Sequence, residues 1–248
     1  MNHSAVVELR RYALRPGQRD TLVDLFDANF VESQERVRID VIGQFRDLDD
    51  PDLFTWVRSF QNMEERARGL TDFYGGETWH AHSRAANATI VDSDNVLLLR
   101  PGRPESAFRL PARSDDGNAS VGYVAAVILH LELGADDSDI VSFFECAIAP
   151  GVAAAEGSVL AYFVTEPSRN TFPALPVRED VNVFVFFVGC GDRLTLERVA
   201  DPSCRLSRTI AEAPGLARSA ETLRLEPTAR SLLHGGSPTC LPASRLVG

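Results

Sequence analysis

Strand-type residues fill Ala5–Leu14, and the run stops at the turn Arg15-Pro16-Gly17. From Gln18 to Val37 the apolar positions Leu22, Leu25, Phe26, Phe30 and Val37 fall close to helical spacing. Two further strand-like runs, Ile39–Phe45 and Phe54–Phe60, flank the turn-forming connector Asp47-Leu48-Asp49-Asp50-Pro51-Asp52, which predicts a hairpin. Asn62 is placed to cap a helix that reaches Tyr74 and stops at Gly75-Gly76. A short helical stretch, Thr78–Ala86, then leads to a strand near Asn95–Arg100. The order β-α-β-β-α-β is that of the split βαβ unit.

The same order recurs. Val121–Leu133 reads as strand, Asp136–Ile148 as helix, Val159–Thr165 and Val181–Val188 as strands, Gly191–Arg208 as helix and Thr222–Leu232 as strand. Leu22-Val23 with Leu25-Phe26 matches Ile140-Val141 with Phe143-Phe144, and Val41–Phe45 matches Val159–Phe163, both at an offset of 118 residues. The closing strands align too: Leu97 to Pro101 matches Leu223 to Pro227 at an offset of 126, the extra length falling in the Pro-bearing connector Glu166–Asp180. Three matches in order predict a duplicated unit. The expected division is a first ferredoxin-like domain over 1–104, a linker over 105–120, and a second domain over 121–248 with an irregular tail. A four-stranded sheet with helices on one face must cover the other. Two such sheets in one chain can do so by closing on each other as an α+β barrel, an intramolecular version of a dimer.

Composition narrows the chemistry. The net charge of −10 makes nucleic acid and membrane surfaces poor partners. All 25 basic residues are arginine, so a lysine Schiff base and a phosphate-loop lysine are excluded. Cys146, Cys190, Cys204 and Cys240 lack metal-ligand spacing. The N-terminal residues lead straight into a strand pattern with no apolar leader, and a cytoplasmic location is expected.

Val7-Glu8-Leu9-Arg10-x-Tyr12-x-Leu14-x-Pro16-Gly17 resembles the opening strand and turn of NIPSNAP proteins. Val41-Ile42-Gly43-Gln44-Phe45-Arg46-Asp47, Phe73-Tyr74, Trp79-x-x-His82, Ala86-Asn87-Ala88, Asn170-Thr171-Phe172 and Leu175-Pro176-Val177-Arg178 are similar to the same family. The resemblance implies the dimeric α+β barrel superfamily, which includes cofactor-independent monooxygenases, haem-degrading enzymes, isomerases and dehydratases, so fold alone does not fix function.

The two copies differ where chemistry could sit. Arg46 aligns with Val164, and Phe73–His82 has no counterpart after Val188, so the first copy is expected to hold the site. His82 is the expected acid–base. His80 lies two residues away on a different helical face, so a shared metal is not expected. Arg46 and Tyr74 complete the expected catalytic set; an ion pair with neighbouring acids is the competing reading of Arg46. Tyr12, Trp56, Trp79, Asn87 and Arg178 are expected to bind substrate, although aromatics on strands and helices are more often core. The expected function is a cofactor-free enzyme oxygenating, isomerising, cyclising or dehydrating a small organic, biosynthetic-type molecule. Haem is the alternative cofactor, and a non-catalytic ligand-binding or protein-interaction module the alternative function. A small-molecule substrate is the expected partner, and further pairing to a homodimer stays open.

Overall fold

The computed structural model describes residues 6–110, 113, 122–203, 205–211 and 217–240. The first half runs β1 (Val6–Leu14), α1 (Arg19–Asn29), α2 (Val31–Glu35), β2 (Asp40–Asp47), β3 (Leu53–Phe60), α3 (Met63–Tyr74), α4 (Glu77–Thr89) and β4 (Ile90–Pro101). The second runs β5 (Tyr123–Leu131), α5 (Asp137–Phe143), a π-helical turn (Phe144–Ile148), α6 (Ala149–Ala154), β6 (Ser158–Thr165), β7 (Val183–Cys190), α7 (Arg193–Ala200), α8 (Arg205–Ala211) and β8 (Ala217–Pro227).

Local chemistry sets many of these boundaries. Asn62 caps α3 by accepting from the Glu65 amide at 2.8 Å, and Asp192 caps α7 by accepting from Thr195 at 2.7 Å. The helix expected over Gln18–Val37 is two helices, since the backbone at Phe30 flattens to ψ −10°, and Arg38, with φ 64°, turns the chain into β2. The helix expected over Asp136–Ile148 is interrupted by the π turn, next to Pro150, which has no N–H to give to the preceding turn. The helix expected over Gly191–Arg208 is likewise two, α7 and α8, and β4 starts earlier than expected, at Ile90.

The strands close into one antiparallel barrel in the order β1-β3-β2-β8-β5-β7-β6-β4. Each half contributes a four-stranded sheet of the same order, β4-β1-β3-β2 and β8-β5-β7-β6. The chain is therefore the expected fused pair of ferredoxin-like sheets packed as a pseudo-dimer. The two sheets meet at short seams, Phe45–Asp47 against Leu225–Pro227 and Leu99–Pro101 against Phe163–Thr165. A β-bulge interrupts β2 between Val41 and Gly43, and its copy interrupts β6 between Val159 and Ala161. These positions again differ by 118 residues, so the duplication preserves even the irregularity.

Strand alternation sorts side chains into three cores. Those pointing inward, including Leu9, Phe45, Val57 and Leu97 from the first half and Ala126, Phe163, Val185 and Phe187 from the second, fill the barrel. Those pointing outward pack beneath the helices, in one cluster per half. Residues 228–240 then cross both bulges: the Leu233 amide bonds the Ile42 carbonyl at 2.9 Å, and the Cys240 amide bonds Val159 at 3.1 Å. Most of the expected linker, residues 1–5, Cys204 and residues 241–248 lie outside the described residues. Among the described residues no helix is long and apolar enough to cross a membrane.

Phe187 is fully buried inside the barrel. Phe187→Ala should lower stability by about 3–5 kcal/mol, read as a fall in the urea midpoint at unchanged slope.

Candidate functional site

The outward faces of β1 and β3 are paired residue by residue, and their chemistry is unusual for a buried layer. Glu8 stands opposite Arg58, Arg10 opposite Trp56, and Tyr12 opposite Phe54. Glu8, Arg10, Arg58 and, from α3, Arg66 are all 0% exposed. One Glu8 carboxylate oxygen accepts from Arg10 at 2.8 Å and from Arg58 at 2.7 Å, while the other accepts from Arg66 at 2.6 Å. Burial alone would raise the Glu8 pKa, but the three guanidinium groups override it and hold the carboxyl well below the usual carboxylate range.

Above this charged layer lies a cavity of about 380 Å³. Its wall is formed by Tyr12 of β1, Leu22, Phe26 and Phe30, Gln34 of α2, Trp56 of β3, Phe73 and Tyr74 of α3, Trp79, Ala86 and Asn87 of α4, and Ile90 and Ser93 of β4. The aromatic rings brace one another edge to face, Phe26 on Trp56 at 4.9 Å and Tyr74 on Trp79 at 4.7 Å. Polar groups occur where the wall touches the arginines. The Tyr12 hydroxyl accepts from Arg10 Nε at 3.0 Å, which leaves its own proton for another acceptor. Gln34 Oε1 accepts from Arg58 at 3.2 Å while its Nε2 donates to the Phe30 carbonyl at 2.9 Å, fixing the amide. Burial raises the pKa of Tyr74 even though Arg58 and Arg10 pull the other way, so its phenol stays protonated near neutral pH and is a donor.

The roof comes from the other half. Phe172, Ala174 and Leu175, in the connector between β6 and β7, complete the lining. Phe172 stacks on Tyr74 with ring centroids 5.8 Å apart. Arg66 anchors this connector by donating to Asn170 Oδ1 at 3.0 Å and Thr171 Oγ1 at 3.1 Å, and Asn170 in turn shapes the loop by donating to the Leu175 carbonyl at 2.8 Å.

A family comparison covers this half: residues 7–102 match the NIPSNAP family model. The chain carries a NIPSNAP domain. Two solved structures align with nearly the whole chain. A candidate monooxygenase from Fusobacterium nucleatum aligns over 96% of this chain and 99% of its own, with a TM-score of 0.61 at 8% identity. Another, from Lactobacillus acidophilus, aligns over 95% and 98%, with a TM-score of 0.55 at 13% identity. At these identities the likeness is one of fold. No curated protein matches the chain.

The NIPSNAP domain gathers five of the expected residues, Tyr12, Trp56, Tyr74, Trp79 and Asn87, around one cavity. It does not bring the other three to it. Arg46 forms an ion pair on the outside, at 3.0 Å, but with Asp20 of α1 rather than with the neighbouring Asp47, Asp49 or Asp50. Arg178 lines a separate cleft of about 520 Å³ with Arg100, Asp137, Glu166 and Arg169. His82 is half-buried, its ring edge-on to Phe30 at 6.4 Å, and is not among the lining residues; His80 is exposed. Glu8, Arg58 and Arg66 were not singled out by sequence reasoning as site residues. Their signal was available in the repeat. In the second half the barrel register puts Ala125 opposite Val188, Val127 opposite Phe186 and Leu129 opposite Phe184, where the NIPSNAP domain has Glu8–Arg58, Arg10–Trp56 and Tyr12–Phe54. There Phe144 packs on Tyr162, Phe184 and Phe186 with centroids 4.8–5.1 Å apart, closing the equivalent space.

Glu8→Gln should cost about 3–5 kcal/mol, because it strands three buried cations. The Glu8 pKa is depressed on folding, so its stabilisation is fully present above the unfolded value of about 4.3 and is lost as pH falls below it. Thermal melts should show a constant gap between wild type and variant above about pH 5, narrowing below about pH 4.

Proposed function

We propose that the first-half cavity is the active site of an enzyme that acts on a flat, largely apolar organic molecule and requires no tightly bound nucleotide. The observation that carries this reading is the pairing of an aromatic cavity with two phenols, Tyr12 and Tyr74, set against buried guanidinium groups. Stacked walls formed by Trp56, Trp79 and Phe172 hold a planar ring system and exclude water. The Tyr12 proton is directed away from Arg10, and Tyr74 is a protonated donor. Each can hydrogen-bond to an oxygen on which negative charge accumulates, and a guanidinium behind a phenol strengthens that bond in a low-dielectric site. Oxygenation, isomerisation, cyclisation and dehydration of phenolic or enolisable compounds all pass through such charge. The fold shared with two candidate monooxygenases is consistent with oxygenation of that class of compound.

A panel of quinols, phenols and enolisable ketones, followed by oxygen uptake and product chromatography, tests the reading. Tyr12→Phe should lower kcat by about 10²–10³-fold, with a stability loss of only about 1–3 kcal/mol from the acceptor withdrawn from Arg10 Nε. His82→Ala should keep most of its activity, since His82 does not line the cavity. Tight binding without turnover across the panel would instead favour a ligand-carrying module. Phe172→Ala, which removes the ring stacked on Tyr74, should raise KM more than it lowers kcat.

A further inference from the structure

The charge balance beneath the cavity does not close. Arg10, Arg58 and Arg66 are wholly buried, and among the described residues Glu8 is the only carboxylate that pairs with any of them. Three cations against one anion leave two positive charges on fully buried side chains, where each unpaired ion is costly. Donors are left over as well. Arg10 Nη2, Arg58 Nη2, Arg66 Nη2 and Trp56 Nε1 are buried without a hydrogen-bond partner, although buried polar groups in folded proteins are nearly always satisfied. The fold does not require this arrangement, because the second half builds the same strand pair with Ala125, Val127 and Val188 in these places.

Arg10 and Arg58 do not line the cavity themselves but stand one side chain behind its wall. Arg10 and Arg58 lie against Trp56, with guanidinium carbons 5.7 and 4.9 Å from the ring centroid, and Trp56 is part of the cavity wall. Stacking engages the flat face of a guanidinium and leaves its N–H edge for an oxygen anion. We propose that the ligand of this cavity is an organic anion, a carboxylate or an ionised phenol or enol on a flat apolar body. Its charged oxygen is drawn to the Arg10–Arg58 end and its rings lie between Trp79 and Phe172. This rests on the reading of the cavity as a small-molecule site and adds the ligand's charge. The apolar walls select an organic anion over a free inorganic one, whose remaining oxygens would find no donors there.

Calorimetric titration of the wild-type chain with 2-naphthoate and with its neutral isostere 2-naphthamide separates the two claims. The carboxylate should bind about tenfold or more tighter than the amide. Arg58→Met should reduce the carboxylate's advantage over the amide, read as the ratio of the two affinities in that same variant so that any general loosening of the wall, to which Arg58 holds Gln34, cancels. Leu175→Trp, which fills the cavity from the roof, should abolish binding of both. Equal or tighter binding of the amide to the wild-type chain, a comparison that needs no variant, overturns the anionic class and leaves the cavity reading standing. Binding of neither overturns both. Carboxylate binding that survives Leu175→Trp places the anion elsewhere and also overturns the proposal.

Discussion

A carboxylate removed from water stays ionised only if enough positive charge and enough donors replace its hydration shell. Glu8 meets that condition three times over, and in doing so it ties together parts of the chain that are far apart in sequence. Arg10 reaches it from the same strand, Arg58 from the neighbouring strand and Arg66 from the helix above. Each of these arginines has a second engagement. Arg10 turns the Tyr12 hydroxyl, Arg58 holds Gln34, and Arg66 anchors Asn170 and Thr171 of the roof. The orientation of the cavity's polar wall and the seating of its cover therefore both depend on one side chain. A network of this kind is rigid when every member is in place and fails as a unit when one is removed.

The second half shows what the same architecture looks like without that demand. Its outward strand faces are aliphatic and aromatic, its helices pack directly on them, and its space is closed by Phe144, Tyr162, Phe184 and Phe186. Burial pushes the thiols of Cys190 and Cys240 there up to about 12, so neither is a ready nucleophile. The two halves divide their tasks: one keeps unsatisfied polar groups and a void, and the other supplies a well-packed partner sheet that completes the barrel.

Hydrophobic periodicity and the internal repeat were sufficient to read the element order and the closed pseudo-dimer, because strand alternation and burial are dictated by the sheets themselves. Five of the cavity's residues were legible as aromatic or amide groups clustered in the first copy. Arg46 was harder to place. The bulge at Ile42 resets the alternation of β2, so which face Arg46 occupies cannot be counted from the strand's beginning, and bulges leave little trace in an apolar pattern. Glu8 and Arg10 stand in the opening motif, but a charge in an alternating strand normally marks the solvent face. Only comparison with Ala125 and Val127, at the equivalent register positions, exposes them as buried. His82 looked chemical because of its residue type, and a helix wheel alone does not say which neighbour its ring will meet.

The roof's origin bears on how the molecule is made. The strands and helices that form the walls emerge from the ribosome first, while Asn170, Phe172 and Leu175 are translated only after the barrel's sixth strand. Until then Arg66 lacks the connector that it will anchor, and the aromatic cavity stands open. An N-terminal fragment, however well it folds, would lack its cover. Closure of the cavity is thus deferred until the connector between β6 and β7 has been synthesised.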